Sequence, residues 1–293
     1  MKSRLTSVIV IISLLLLFTG IGICQDKAGA SDLVDKVGQG SINWSAGYIE
    51  AVGIGATPEK LASKINARPI ALRAAQKDAL NNLLEIIKNV QVDSEKLVKD
   101  FTAGDNVTDT QINTLMKKSL IDDYQYMPGG KTEVRLRMSL YGDFARTIMP
   151  LAMAKPPAAP ATVASVPALA DKTSSSPSAP VSYTGIVIDA RGIQARPAML
   201  PKIFDEDGKE VYGLAKVDLE YAVKQGMSGY VREFTAAQSH QRVGANPITV
   251  KAVGASGTGK SDIIISNADA QKIRSSAESA SFLNQCKVVI VLD

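Results

Sequence analysis

The residues that come nearest to a chemical device are Gly254-Ala255-Ser256-Gly257-Thr258-Gly259-Lys260-Ser261. Their spacing is that of a phosphate-binding loop. In such a loop glycine amides cradle phosphate oxygens, the lysine reaches the outer phosphates and the Ser or Thr hydroxyl meets magnesium. The apolar run Val288 to Leu292, ending in Asp293, would supply the acidic strand. The chemistry would be nucleotide hydrolysis, with Gly254, Gly259, Lys260 and Ser261 holding the phosphates. That device needs a helix starting at the Lys-Ser pair, so that free N–H groups and the helix dipole face the anion. Asp262-Ile263-Ile264-Ile265 follows instead, and three β-branched residues in succession favour a strand. The sequence therefore predicts a glycine-rich hairpin, with a phosphate-loop hydrolase as the alternative reading.

Other chemical patterns fail on residue type. Asp205-Glu206-Asp207-Gly208 resembles part of a calcium loop. With Gly208 as the loop's glycine, Ile203 and Leu214 fall at the first and last ligand positions and offer no side-chain oxygen. The segment reads as a turn between two short strands. His240 is the single histidine, and the cysteines are Cys24 and Cys286, too few for a usual zinc site. Cys286, just before an apolar strand, reads as a small core residue. No catalytic residue, metal site or cofactor is expected.

The positive balance is concentrated at one end. Lys2 and Arg4 precede the apolar stretch Val8 to Cys24, and no acid appears before Asp26. This order predicts a secretory signal or anchor over residues 1–24. Gly22-Ile23-Cys24 suits ordinary cleavage that exposes Gln25. Cys24 is also a candidate lipidation site, although Ile23 is bulky where lipoprotein processing favours a small residue. Retention as an anchor is the third reading, since the stretch is at the lower limit for spanning a bilayer. Setting Lys2 and Arg4 aside leaves 31 of 33 Lys and Arg against 29 Asp and Glu, no electrostatic footprint for nucleic acid. With at most one cysteine left beyond the signal, stability must come from apolar cores rather than disulfides.

The elements that position these residues fall into two modules of α+β class, each with helices on a small antiparallel sheet. Residues 25–43 read as an extension, 44–150 as the first module, 151–182 as a Pro/Ala/Ser-rich linker and 183–293 as the second module. The linker predicts an extended spacer and modules that move independently. In the first module, Tyr48 to Gly55 reads as a strand. Pro69 to Asn89 reads as a helix, with Leu72, Ala75, Ala79, Leu83, Ile87 and Val90 forming one apolar stripe. Thr108-Asp109-Thr110-Gln111 is a capping-box pattern for a second helix. Thr132 to Tyr141 alternates Val134, Leu136, Met138 and Leu140 with Arg135, Arg137 and Ser139, a sheet with one wet face. Arg135 and Arg137 would contact a partner or keep an edge soluble, and Trp44 and Tyr48 would pack over the sheet's end. In the second module, Gly185 to Ala190, 202–204, 210–212, 248–253, 262–265 and 287–292 read as strands, with a helix from Asn267.

Ala51-x-Gly53-x-Gly55, then Ala71, Ala75, Ala79, Leu83 and Ile86, then Val90-x-Val92 and the strand Thr132 to Leu140, resemble the LPP-twenty lipoprotein domain. That domain is similar to the N-terminal part of flagellar assembly protein T. The resemblance covers about a third of the chain. It implies a helix-on-sheet fold in an exported bacterial envelope protein, without enzymatic activity or cofactor. The expectation is a periplasmic or outer-membrane-associated binding or assembly factor. Its partners would be envelope proteins or surface-assembly components, flagellar ones included. Membrane attachment would come through the signal anchor or a lipid on Cys24.

Overall fold

The computed structural model describes residues 32–61, 67–102, 106–154, 182–276 and 279–293. The signal segment, Cys24 and most of the predicted linker lie outside the described residues.

The first module contains β1 (Val34–Val37), β2 (Gly40–Asn43), β3 (Tyr48–Ala56), α1 (Ala67–Lys88), α2 (Val98–Thr102), α3 (Asn106–Met116), β4 (Leu120–Met127), β5 (Lys131–Ser139) and α4 (Asp143–Ala154). Its sheet has the order β1-β2-β3-β5-β4, and every pairing is antiparallel. Helix α1 lies across β3 and β5 and buries Ala71, Ala75, Ala79, Leu83, Ile86 and Ile87. Small residues on both sides let the helix sit this low. A methyl group on Gly53 would lie 2.1 Å from the Ala79 nitrogen, and one on Gly55 2.3 Å from the Ala71 oxygen. Strand β2 ends opposite Ala51, leaving later β3 groups without a ladder partner on that side. Helix side chains satisfy them, as buried backbone polar groups require. Asn82 donates to the Val52 carbonyl at 2.7 Å, and Asp78 accepts the Ile54 N–H at 2.9 Å.

Three boundaries differ from the sequence reading. Strands β1 and β2 occupy what read as an extension, because each has four residues and no apolar alternation. Helix α3 starts at Asn106, so Thr108 lies inside it rather than at its cap. Helix α4 runs through Leu151–Ala154, the first residues assigned to the linker.

The second module contains β6 (Gly185–Asp189), β7 (Ile203–Asp205), β8 (Glu210–Tyr212), α5 (Leu219–Gln225), β9 (Gly229–Val231), α6 (Phe234–Gln238), β10 (Pro247–Ser256), β11 (Asp262–Ile265), α7 (Asn267–Ser275), α8 (Ser279–Asn284) and β12 (Val288–Val291). The class is α+β as expected, but this sheet is mixed rather than antiparallel. Its order is β8-β7-β11-β10-β6-β12-β9. The four strands β10, β6, β12 and β9 run parallel, as do β11 and β7, while β10–β11 and β7–β8 are antiparallel. All four residues of β12 are buried, as are Gly185–Ile188 of β6. Such unbroken apolar runs fit parallel strands covered on both faces.

The expectation of independent modules is overturned. Ser31–Asp293 form one compact unit, and one hydrophobic cluster runs from Leu83 and Ile87 through Trp44 and Met149 to Met199, Tyr230 and Ile290. The Trp44 ring meets Tyr230 edge-on at 6.0 Å, and Ser45 Oγ donates to the Tyr230 carbonyl at 2.7 Å. Backbone bonds cross the seam as well: Met199 N to Gln91 O at 3.0 Å, Leu200 N to Val92 O at 2.8 Å, and Gly142 N to Val223 O at 2.8 Å. Composition predicted a spacer, and it carries no information about whether the flanking cores present complementary faces. Among the described residues no helix is long and apolar enough to cross a membrane.

Candidate functional site at the glycine-rich hairpin

Gly254 to Ser256 end β10, and Ser256 pairs antiparallel with Asp262 at the start of β11. The segment is therefore a hairpin, and a strand stands where a phosphate loop would have its helix. The next helix, α7, starts at Asn267 and is capped by Ser266, whose Oγ accepts the Asp269 N–H at 3.0 Å. Gly257 turns the chain at φ +81°, a conformation that disfavours side chains, and Lys260 also has a positive φ of 53°.

Two residues of the loop, Thr258 and Gly259, donate to the first module. Thr258 donates its N–H to Glu95 Oε1 at 3.2 Å and its hydroxyl to Glu95 Oε2 at 3.0 Å. The Gly259 N–H meets the Ser94 carbonyl at 2.6 Å. Glycine is needed for this approach, since a methyl at 257 would fall 2.3 Å from Ser94 Cβ and one at 259 would fall 2.6 Å from Gln91 Nε2. Lys260 Nζ donates to Gln194 Oε1 at 2.8 Å. Ser261 is buried and its hydroxyl has no partner among the described residues. Asp293 accepts the Gly192 N–H at 2.9 Å from the end of β12, which β6 separates from β10. The arrangement does bind an anion through amide and hydroxyl donors, and that anion is the chain's own Glu95 carboxylate.

Beneath the loop, Asp262 Oδ2 accepts the Ser94 hydroxyl at 2.6 Å and Oδ1 the Lys202 N–H at 3.3 Å. Burial pushes this carboxyl above the usual range, against the pull of the Ser94 bond and Lys202. Trp44, Tyr141, Met199, Ser228 and Tyr230 line a small, partly open pocket at the seam with a volume of about 10 Å3. A space of that size suits one water and no larger ligand.

The remaining candidates are structural in their contacts. Arg242 donates to the carbonyls of Gly226 (2.9 Å), Cys286 (3.1 Å) and Gln225, tying the end of α5 to the turn before β12. Burial, and then nearby Arg242, lower the pKa of His240, whose Nδ1 accepts the Arg242 N–H at 3.1 Å. Cys286 is fully buried, and burial raises its thiol pKa. Asp205 closes its turn by accepting the N–H groups of Asp207 (3.1 Å) and Lys209 (2.7 Å) and pairing with Arg274 at 2.8 Å. Against burial, those partners hold its carboxyl below the usual range. Among the described residues no three His, Cys, Asp or Glu side chains are grouped to hold a metal.

Arg135 and Arg137 sit on β5, an interior strand, so edge protection does not describe them. Glu50 pairs with both, at 3.5 and 3.1 Å. Arg137 also pairs with Asp122 at 3.0 Å and lies 4.2 Å over the Tyr48 ring. Trp44 lies in the seam against Tyr230, its Nε1 donating to Asp35 of β1 at 2.9 Å. Sequence reasoning missed Gln91, Ser94 and Glu95. The one available signal was the polar turn Asp93-Ser94-Glu95 interrupting an apolar stretch.

The comparisons with known proteins concern the second module. Residues 185–293 match the family model described as Treponema pallidum Tp0624, second domain. Its limits nearly coincide with the mixed-sheet module, from the first residue of β6 to Asp293. No curated protein matches the chain.

Proposed function

We propose that this chain is an exported, non-enzymatic cell-envelope protein, periplasmic or at the outer-membrane periphery, acting as a binding or assembly factor. The observation that carries the reading is the fate of the glycine-rich loop. The Thr258 N–H and hydroxyl meet Glu95 and the Gly259 N–H meets Ser94, so its glycines serve module docking. The basic and apolar residues 1–24 support export. The resemblance of the first module to the LPP-twenty domain supports an envelope setting and points to surface-assembly partners, flagellar ones among them. The low β3–α1 packing gives that resemblance a physical content, because its Gly and Ala positions are those the close approach requires.

Equilibrium dialysis of the full chain with Mg-ATP, beside Lys260→Ala, tests the reading. No saturable binding is expected for either. Tight binding lost in the variant would establish the hydrolase alternative. Mass spectrometry of the N-terminus in cells tests export: Gln25 marks a cleaved protein, acylated Cys24 a lipoprotein and Met1 an anchored chain. Recovery of an intact Met1 in the cytoplasmic fraction would refute the envelope setting.

A further inference from the structure

Four strands form the edges of the two sheets, and they differ in length and protection. β1 has four residues, including Asp35 and Lys36, while β8 and β9 have three each. β4 has eight residues, all exposed, with no Lys, Arg or Pro among them. Natural sheets normally guard a long edge with such residues. Here Leu120 is 74 % exposed, Tyr124 50 % and Tyr126 49 %. The strand carries two acids, Asp122, paired with Arg137 at 3.0 Å, and Asp123.

From this edge we infer that β4 pairs antiparallel with β4 of a second copy of the chain, joining two five-stranded sheets into one. The occupant follows from the strand's self-complementarity. A register break lies between Ile121 and Asp123, and the regular stretch is Asp123 to Met127. Within it Tyr124 and Tyr126 stand opposite the buried Val134 and Thr132, on the face that α1 covers. Asp123, Gln125 and Met127 take the open face. A two-fold axis must bring like faces together, which admits only registers centred on a residue. Centring on Gln125 uses the whole regular stretch. It sets Gln125 against its own copy, Tyr124 against Tyr126 of the copy twice over, and Asp123 against Met127. No like charges meet, and the aromatic cross-strand pairs are of a kind that stabilises sheets. This contact does not depend on the envelope reading.

The experiment is disulfide trapping of the full chain carrying Gln125→Cys. Directly opposed residues in an antiparallel pair are about 4.5–5.5 Å apart at Cα, within disulfide reach. A reducible homodimer is expected, well above the background of the parent chain, whose Cys286 is buried, and above Lys36→Cys on the opposite edge. Adding Tyr124→Lys and Tyr126→Lys sets like charges face to face and should cut the trapped dimer at least tenfold. Tyr124→Lys with Tyr126→Glu sets opposite charges face to face and should restore it. A Gln125→Cys yield no higher than the parent chain, or one that both charge pairs leave unchanged, would overturn the inference.

Discussion

The two sheets reach stability by different routes. The first is antiparallel and half-covered, with α1 on one face and the Glu50–Arg135–Arg137–Asp122 ion pairs on the other. Its decisive feature is proximity, a helix lowered onto Gly53 and Gly55. The second has a parallel centre whose strands β6 and β12 are buried on both faces. Its glycine-rich hairpin reaches outward, into the first module. Glycine thus admits a helix backbone in one sheet and another module's side chains in the other. The same residue type can mimic a phosphate loop in sequence while forming a hairpin that packs on another module.

The sharpest way to break this comparison is Gly53→Ala. Its methyl would strike the α1 backbone, which cannot swing away as a side chain can, and about 3 kcal/mol of stability should be lost. Because the modules share a core, urea unfolding should remain one transition moved to lower denaturant. A second transition left at the parent midpoint would mean that the second module stands alone. Gly257→Ala attacks the other use of glycine, adding strain at φ +81° and a contact with Ser94. A loss of about 2 kcal/mol is expected. Because Ser94→Gly on its own loses the bond to Asp262, a double-mutant cycle with it should separate the part due to the contact from the part due to φ.

Asp262 makes the seam sensitive to pH. Burial raises its folded pKa above the unfolded value, so its contribution is full below the ordinary carboxylate range and is lost as pH rises through the raised value. Thermal unfolding across that interval should show Asp262→Asn losing less stability than the parent chain. An identical pH profile for the two would refute the assignment. The smallest effect belongs to Ser261→Ala. The Ser261 hydroxyl is buried without a partner among the described residues, so its removal should leave stability unchanged or raise it by up to about 1 kcal/mol. A loss in a denaturant titration would reveal a partner for that oxygen.

Much of the local structure was legible in the residues. Helix α1 followed from its apolar stripe, β5 from period-two alternation, the β7–β8 hairpin from Asp205 to Gly208, and β11 from three successive isoleucines. The hairpin form of the glycine-rich run followed from those isoleucines. Strands β1 and β2 were missed because their apolar residues, Val34, Val37 and Ile42, form no period, and β9 because three residues give none. Parallel pairing in the second sheet was hinted at by the unbroken run at β12 but read as burial only.

By itself the sequence determined the α+β class, the main elements and the hairpin form of Gly254 to Ser261. These depend on propensity and periodicity, which act over a few residues. Tertiary structure decided what the hairpin is for. Thr258 lies 163 residues from Glu95, and Asp262 lies 168 from Ser94. A donor's partner at that separation is chosen by which cores fit together, and no local pattern encodes that choice.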